Sequence, residues 1–157
     1  MENPDAIDID QQPGHLIRRL HQIAVGIFLQ EAGEPNVTPV QYAALQAVSN
    51  QPGIDQRTLA RAIALDASTT GGVVDRLEAR GWMERRQSPD DRRARQLFLT
   101  PDGVQGLIDT LPGMLRAQAQ ILAPLTPRQR TEFMRLLQVL VTQNNDLSRA
   151  PSEATRP

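Results

Sequence analysis

Ser68, Thr69, Thr70, Gly72 and Arg76 fall within one short helical stretch, and Arg92, Arg93 and Arg95 follow it in a charged hairpin. Small hydroxylated side chains at the start of a helix can approach base edges closely, and Ser or Thr can hydrogen-bond to several of them. Arginines on a hairpin tip can enter a minor groove or meet phosphates beside it. Types and spacing therefore imply contact with duplex DNA. The competing reading is a buried helical hairpin with an ordinary polar surface, since helix-turn-helix spacing is degenerate and a charge run is often only a solvated face.

The elements that would position these residues span Ile54 to Thr100. Asp55 precedes a short helix with Leu59, Ala60, Ala62 and Ile63 on its apolar side. Leu65-Asp66 breaks it, and Asp66 suits the N-cap of a second helix. There Ala67, Thr70, Val74 and Leu77 repeat at i, i+3, i+7 and i+10, the spacing of a core face. Thr70 thus falls on the core line while its hydroxyl also qualifies it as a groove residue. Gly81 closes the helix as a C-cap. Trp82–Arg86 and Arg95–Leu99 read as strands, the second pointing Leu97 and Leu99 inward. Between them Ser88–Arg93 has turn chemistry, with Asp90 or Asp91 able to pair with a neighbouring arginine and stiffen the tip. Six arginines and three acids lie between Arg80 and Arg95, in a chain of net charge −1.

Several motifs in fixed order carry a family resemblance. They are Thr38-Pro39-Val40-Gln41-Tyr42, Leu59-Ala60, Val74 through Gly81, Asp90-Asp91-Arg92-Arg93 and Leu99-Thr100-Pro101-Asp102-Gly103. With these the chain resembles MarR-family transcriptional regulators over about residues 12–146. The resemblance implies a homodimer with a helical dimerisation domain and two winged-helix lobes. It also implies a pseudo-palindromic operator and release by a small ligand held between the dimer helices and the DNA lobe. Gly71-Gly72 stands where many relatives carry a longer side chain, which shifts base reading toward Ser68, Thr69 and Arg76. The PGHLIRR opening and the STTGGVVDRL stretch are most similar to the subgroup that represses nicotinic acid breakdown genes and answers to 6-hydroxynicotinate.

The fold class expected is mainly α with a small β-wing. Residues 1–11 read as a disordered acidic N-terminus, 12–146 as the winged-helix domain and 147–157 as a disordered tail. The DNA-binding lobe covers about 37–100, and the dimerisation helices about 13–32 and 101–146. On the first of these, Leu16, Leu20, Ile23 and Ile27 form one apolar line, and Ile17, Ala24 and Phe28 a second. Val104, Leu107, Ile108, Leu111 and Leu115 mark a later helix that Pro112 should kink or interrupt. Phe133, Leu136, Leu137, Leu140 and Val141 mark the last one. One lobe cannot bury all of this, so Leu16, Leu20, Ile23, Phe133, Leu137 and Leu140 are expected to pack in a two-fold dimer.

His15, Arg18 and Arg19 lie within one helical turn. Arginine grips a carboxylate through paired hydrogen bonds, and histidine adds a bond or a pH-dependent charge. With Tyr42 to stack, they offer a site for a small aromatic acid. Alternatively, Arg18 and Arg19 pair with Glu31, Glu34 or the acidic N-terminal segment. All 17 basic residues are arginine, and there is no cysteine. Thiol redox sensing and disulfides are thereby excluded. No signal peptide and no apolar run long enough to span a bilayer is visible, which places the protein in the cytoplasm. His15 and His21 are six apart and share no helix face, so no metal is expected, and no cofactor or catalytic constellation is visible. A second functional class stays open: a winged-helix module that binds proteins and has no specific operator.

Overall fold

Short polar side chains open five of the helices. Thr38, Thr100 and Thr126 each precede a proline, while Asp55 and Asp66 stand at the two starts between. In the computed structural model, which describes residues 7–153, each of the five accepts a hydrogen bond from the backbone N–H three residues on. That satisfies one of the donors a helix start leaves open, and a proline at the first position has no such donor to lose. The helices are α1 (Pro13–Ala32), α2 (Pro39–Asn50), α3 (Gln56–Ala62), α4 (Ala67–Ala79), α5 (Pro101–Leu122) and α6 (Pro127–Gln143). The strands are β1 (Ile54–Asp55), β2 (Met83–Gln87) and β3 (Arg95–Leu99), in the antiparallel order β1-β3-β2. The chain is mainly α with a small β-wing, as the sequence implies.

The lobe from α2 to β3 encloses one core of Leu45, Val48, Leu59, Val74, Leu77, Met83 and Leu97. On α4 the buried stripe is Thr70, Val73, Val74 and Leu77. Ala67, expected on that stripe, is the first helical residue and stays exposed at the edge of the core, while Val73 takes a place in it. The end of α4 follows the expected glycine chemistry. Gly81 adopts φ 78, its N–H bonds to the Glu78 carbonyl at 2.9 Å, and the Trp82 N–H bonds to the Leu77 carbonyl at 2.9 Å. This is a Schellman closure, and it turns the chain directly into β2. The hairpin pairs Met83 with Leu99 and Gln87 with Arg95.

Thr100 joins the wing to the long helix that follows. Its hydroxyl donates to the Gly81 carbonyl at 2.6 Å and accepts from the Gly103 N–H at 3.0 Å, while its own N–H bonds to the Trp82 carbonyl at 3.1 Å. A Cβ added at Gly103 would lie 1.9 Å from the Trp82 carbonyl oxygen, so α5 can start here only on a residue without a side chain. Further along, a Cβ at Gly113 would lie 2.1 Å from the Glu31 carbonyl oxygen, so α5 and the end of α1 pack closely there.

Three expectations need correction. Pro112 does not interrupt α5, which is continuous through it. The single i to i−4 bond that proline removes is outweighed in a 22-residue helix packed along α1. The N-terminal segment is not wholly without structure, because Ile9–Gln11 form a 3-10 turn capped by Asp8; residues 1–6 of that expectation lie outside the described residues. The tail is not free up to its end either. Beyond a 3-10 turn at Asn145–Leu147 it folds back, and the Arg61 guanidinium meets Glu153 at 3.2 Å; residues 154–157 lie outside the described residues.

Apart from Phe28 and Leu107, many large side chains of the long helices point outward. In α5 the inward residues are small, Gly103, Gly106, Thr110, Gly113 and Ala117, with Leu107 among them. Val104, Ile108, Leu111 and Leu115 are exposed, as are Leu16, Leu20 and Ile23 on α1 and Leu136, Leu137 and Leu140 on α6. No residue of α6 is buried. Replacement of Gly103 by alanine is expected to lower stability by roughly 1–3 kcal/mol or more, because backbone must move to admit the methyl group. Urea unfolding at one fixed protein concentration checks this.

Candidate nucleic-acid interface

The α4 N-terminus is built around one carboxylate. Asp66 accepts the Thr69 N–H at 2.8 Å through one oxygen and the Thr69 hydroxyl at 2.6 Å through the other. The Thr69 hydroxyl, ahead of the backbone bonds, holds the Asp66 carboxyl below the usual carboxylate range. Thr69 has thereby spent its only side-chain hydrogen and presents lone pairs outward. It suits a donor on a base edge, such as the amino group of adenine or cytosine. Ser68, beside it, is exposed.

Thr70 is removed from the groove set. It is fully buried, and its hydroxyl donates to the Asp66 carbonyl at 2.8 Å, so the core line of the sequence pattern prevails over the chemistry of its hydroxyl. Gly72 lies on the outer side, and a Cβ added there would meet nothing within 4 Å. The fold does not require glycine at 72, and the bare backbone leaves room for a close approach. Arg76 is exposed one turn further on.

The wing is held to α4 by a residue the sequence reading did not single out. Arg85 reaches Asp75 at 2.6 Å and Gln56 at 3.2 Å, and it also donates to Glu78. Burial acts to lower the Arg85 pKa, but the bonds and charges of Asp75 and Glu78 outweigh it, and the net shift is upward. The signal was available in the alternation of β2. Position 85 shares a face with buried Met83, and that face looks onto α4.

At the tip, the polar side chains hold backbone rather than pair with guanidiniums. Asp91 accepts the Arg93 N–H at 2.9 Å, Ser88 accepts the N–H groups of Asp90 and Asp91 at 3.3 and 3.4 Å, and Gln87 donates to the Arg92 carbonyl at 3.0 Å. The expected pairing of Asp90 or Asp91 with an arginine side chain is replaced by these bonds. Arg92, Arg93 and Arg95 are exposed and, like Arg76, make no ion pair among the described residues. Arg86, by contrast, bonds Glu84 and lies over the Phe98 ring at 4.4 Å.

The effector candidates divide into two places. His15 Nε2 and the Arg19 guanidinium lie 3.4 and 3.6 Å from the same Asp10 oxygen. Arg18 donates to Gln22 at 3.2 Å and lies 3.4 Å from His15 Nδ1. Pairing with the acidic N-terminal segment, the alternative reading for these arginines, is what Arg19 shows. Tyr42 is not with them. It packs on Phe28 with ring centroids 6.0 Å apart, at a level of α1 about 20 Å along the helix from His15. Its hydroxyl donates to Gln46 at 3.3 Å, and burial pushes its pKa up. Between α1, α5 and α6 runs an apolar cleft whose lining includes Ile17, Leu20, Ala24, Phe133 and Leu137, with His21 and Gln118 as its polar members. On sequence alone His21 stands out only as a possible metal ligand. Among the described residues no group of three or more His, Cys, Asp or Glu is placed to hold a metal ion, and no helix is long and apolar enough to cross a membrane.

A helix-turn-helix with an exposed, hydroxylated second helix and an arginine-tipped hairpin beside it defines a winged-helix DNA-binding protein. Residues 37–94 match the MarR family. The HTH-type transcriptional repressor NicR of Pseudomonas putida is 30% identical over 139 residues, 88% of this chain and 88% of that protein. The transcriptional regulator PcaV of Streptomyces coelicolor, solved in complex with its natural ligand, superposes with a TM-score of 0.81 at 34% identity, over 87% of this chain and 96% of the other. BpsR of Bordetella bronchiseptica, whose DNA binding is regulated by 6-hydroxynicotinic acid, gives a TM-score of 0.76 at 32% identity over 83% and 98%. The chain belongs to the MarR family, and it is a transcriptional repressor of that family rather than an enzyme.

Two outcomes test the interface. Arg92→Ala and Arg93→Ala are each expected to weaken DNA binding and to reduce the slope of log affinity against log salt by about 0.9. Gly72→Ala is expected to raise stability by about 0.5–1 kcal/mol, from helix propensity alone, while lowering DNA affinity. Thermal unfolding and fluorescence anisotropy separate the two effects, and an unchanged affinity would show that DNA does not approach the backbone at 72.

Proposed function

We propose that the chain works as a homodimer on a pseudo-palindromic operator and leaves it when a small aromatic carboxylic acid, such as 6-hydroxynicotinate, binds. The observation that carries the dimer is the outward apolar face of α1, α5 and α6, which includes Leu16, Leu20, Ile23, Leu137 and Leu140, with half-buried Phe133 beside them. Exposed apolar area shared by three helices is what a two-fold interface buries. A two-fold dimer then presents two α4 helices to two half-sites about one helical turn apart. Ser68, Thr69, Gly72 and Arg76 enter the major groove, and Arg92, Arg93 and Arg95 reach the flanking backbone or minor groove.

The acid reading draws on α1 and on the relatives. The apolar cleft between α1, α5 and α6 suits an aromatic ring, and His21 stands on the same side of α1 as Arg18, three residues earlier. A ligand carboxylate takes the guanidinium of Arg18 or Arg19, with His15 adding a hydrogen bond and Asp10 giving way. Tyr42 stands apart from this group and acts by supporting the α1–α2 contact. The regulated DNA binding described for BpsR points to the ligand class. Ligand bound between the helices favours a spacing of the two α4 helices that no longer matches successive major grooves.

The test is a fluorescence-anisotropy titration on DNA from directly upstream of the chain's own gene, with scrambled DNA as control. The complex is then challenged with 6-hydroxynicotinate and with benzoic and cinnamic acids. Specific binding released by one acid is expected. Specific binding untouched by every acid would discard the acid site, and binding no better than scrambled DNA would discard the operator.

A further inference from the structure

Arg61, in the last turn of α3, stands between two clefts. On one side it and Arg57 face Arg93 and Arg95 of the wing, and with Asp55 and Asp91 also in its lining that cleft keeps a net positive charge. On the other side the same two arginines border the start of α4, at Asp66 and Ala67, and this second cleft is closed by the C-terminal segment Arg149–Glu153. The Glu153 carboxylate lies 3.2 Å from the Arg61 guanidinium.

The segment is held in place by its own chain. The Asn145 amide, just beyond α6, donates to the Ser152 carbonyl at 3.1 Å and accepts the Ser152 N–H at 2.9 Å. This two-way clasp closes a loop over residues 145–152, and Ser152 is buried beneath it. The clasp fixes where Glu153 falls. The ion pair itself is half exposed on both sides, 45% and 48%, so it is weak and exchanges readily. Arg149 lines the same cleft, so the segment has little net charge, and Glu153 is the member of it that pairs with Arg61.

We propose that this C-terminal strap is an intramolecular competitor for DNA phosphate: Glu153 occupies Arg61, which otherwise joins Arg57, Arg93 and Arg95 in gripping the duplex backbone. The inference rests on the DNA-binding reading of the winged helix. A phosphate arriving at the α3–wing cleft meets a guanidinium already satisfied by a carboxylate, and displacing it costs part of the gain from counterion release. The strap thereby sets operator affinity below what the arginines alone would give.

The probe is the fluorescent duplex from upstream of the chain's own gene, titrated at several salt concentrations with the full-length protein. Glu153→Gln is expected to tighten binding about two- to five-fold, the range of an exposed ion pair, and to steepen the salt slope by about 0.9, one phosphate contact. Asn145→Ala, which opens the clasp, is expected to do the same. Arg61→Ala is expected to weaken binding, and Glu153→Gln added to Arg61→Ala to change nothing further. An E153Q protein with wild-type affinity and slope would overturn the proposal. So would a gain that persists without Arg61, or one seen with Asn145→Ala only, since the strap would then act by bulk. Failure of wild type and all variants to prefer the upstream duplex over scrambled DNA would instead remove the operator reading on which the proposal stands.

Discussion

One guanidinium fixes the wing against α4, the second helix of the helix-turn-helix. Arg85 projects from β2 onto α4 and gathers Asp75, Glu78 and the amide of Gln56. Without it, two carboxylates would stand in the last turns of α4, where the negative end of the helix already disfavours them. They would also stand beside the surface proposed to meet phosphates, and would repel them. Arg85 bonds both, offsets one of their two charges and links α3, α4 and β2 in one contact, so that α4 and the wing keep a constant relation.

The same economy appears where the lobe meets the long helices. Thr100 caps α5 and bonds back to Gly81, which ends α4. The direction of α5 is therefore tied to the end of α4. Small residues on the inner side of α5 let it lie against Trp82 and α1, which leaves its large residues outside. This inversion of size across one helix separates the face that packs within the chain from the apolar face proposed above to pair two copies.

Much of this was legible in the sequence because it is local. Threonine before proline, aspartate before an apolar repeat and Gly81 after one each specify a helix boundary through a bond three or four residues away. What escaped depends on distance in the chain. Arg85 reads as one more arginine in a basic run until the alternation of β2 is laid against α4. β1 is two residues long and shows no period. Thr70 carried two meanings, and burial decided between them. Tyr42 and His15 looked like partners by chemistry alone, whereas α1 is a rigid rod that keeps them on different levels. The strap was read as disordered from its composition, since the Asn145 clasp joins residues seven apart by side-chain bonds that no periodicity signals.

If Arg85 makes α4 and the wing a single DNA-reading unit, its loss separates their two contacts. The direct measurement is chemical footprinting of the upstream DNA with wild type and Arg85→Ala, at protein concentrations giving equal occupancy. Methylation protection reports the major groove, and hydroxyl-radical protection reports the backbone along the minor groove. The account predicts that Arg85→Ala keeps the major-groove protection made by α4 and loses the flanking minor-groove protection made by the wing. Both protections intact at equal occupancy would contradict it.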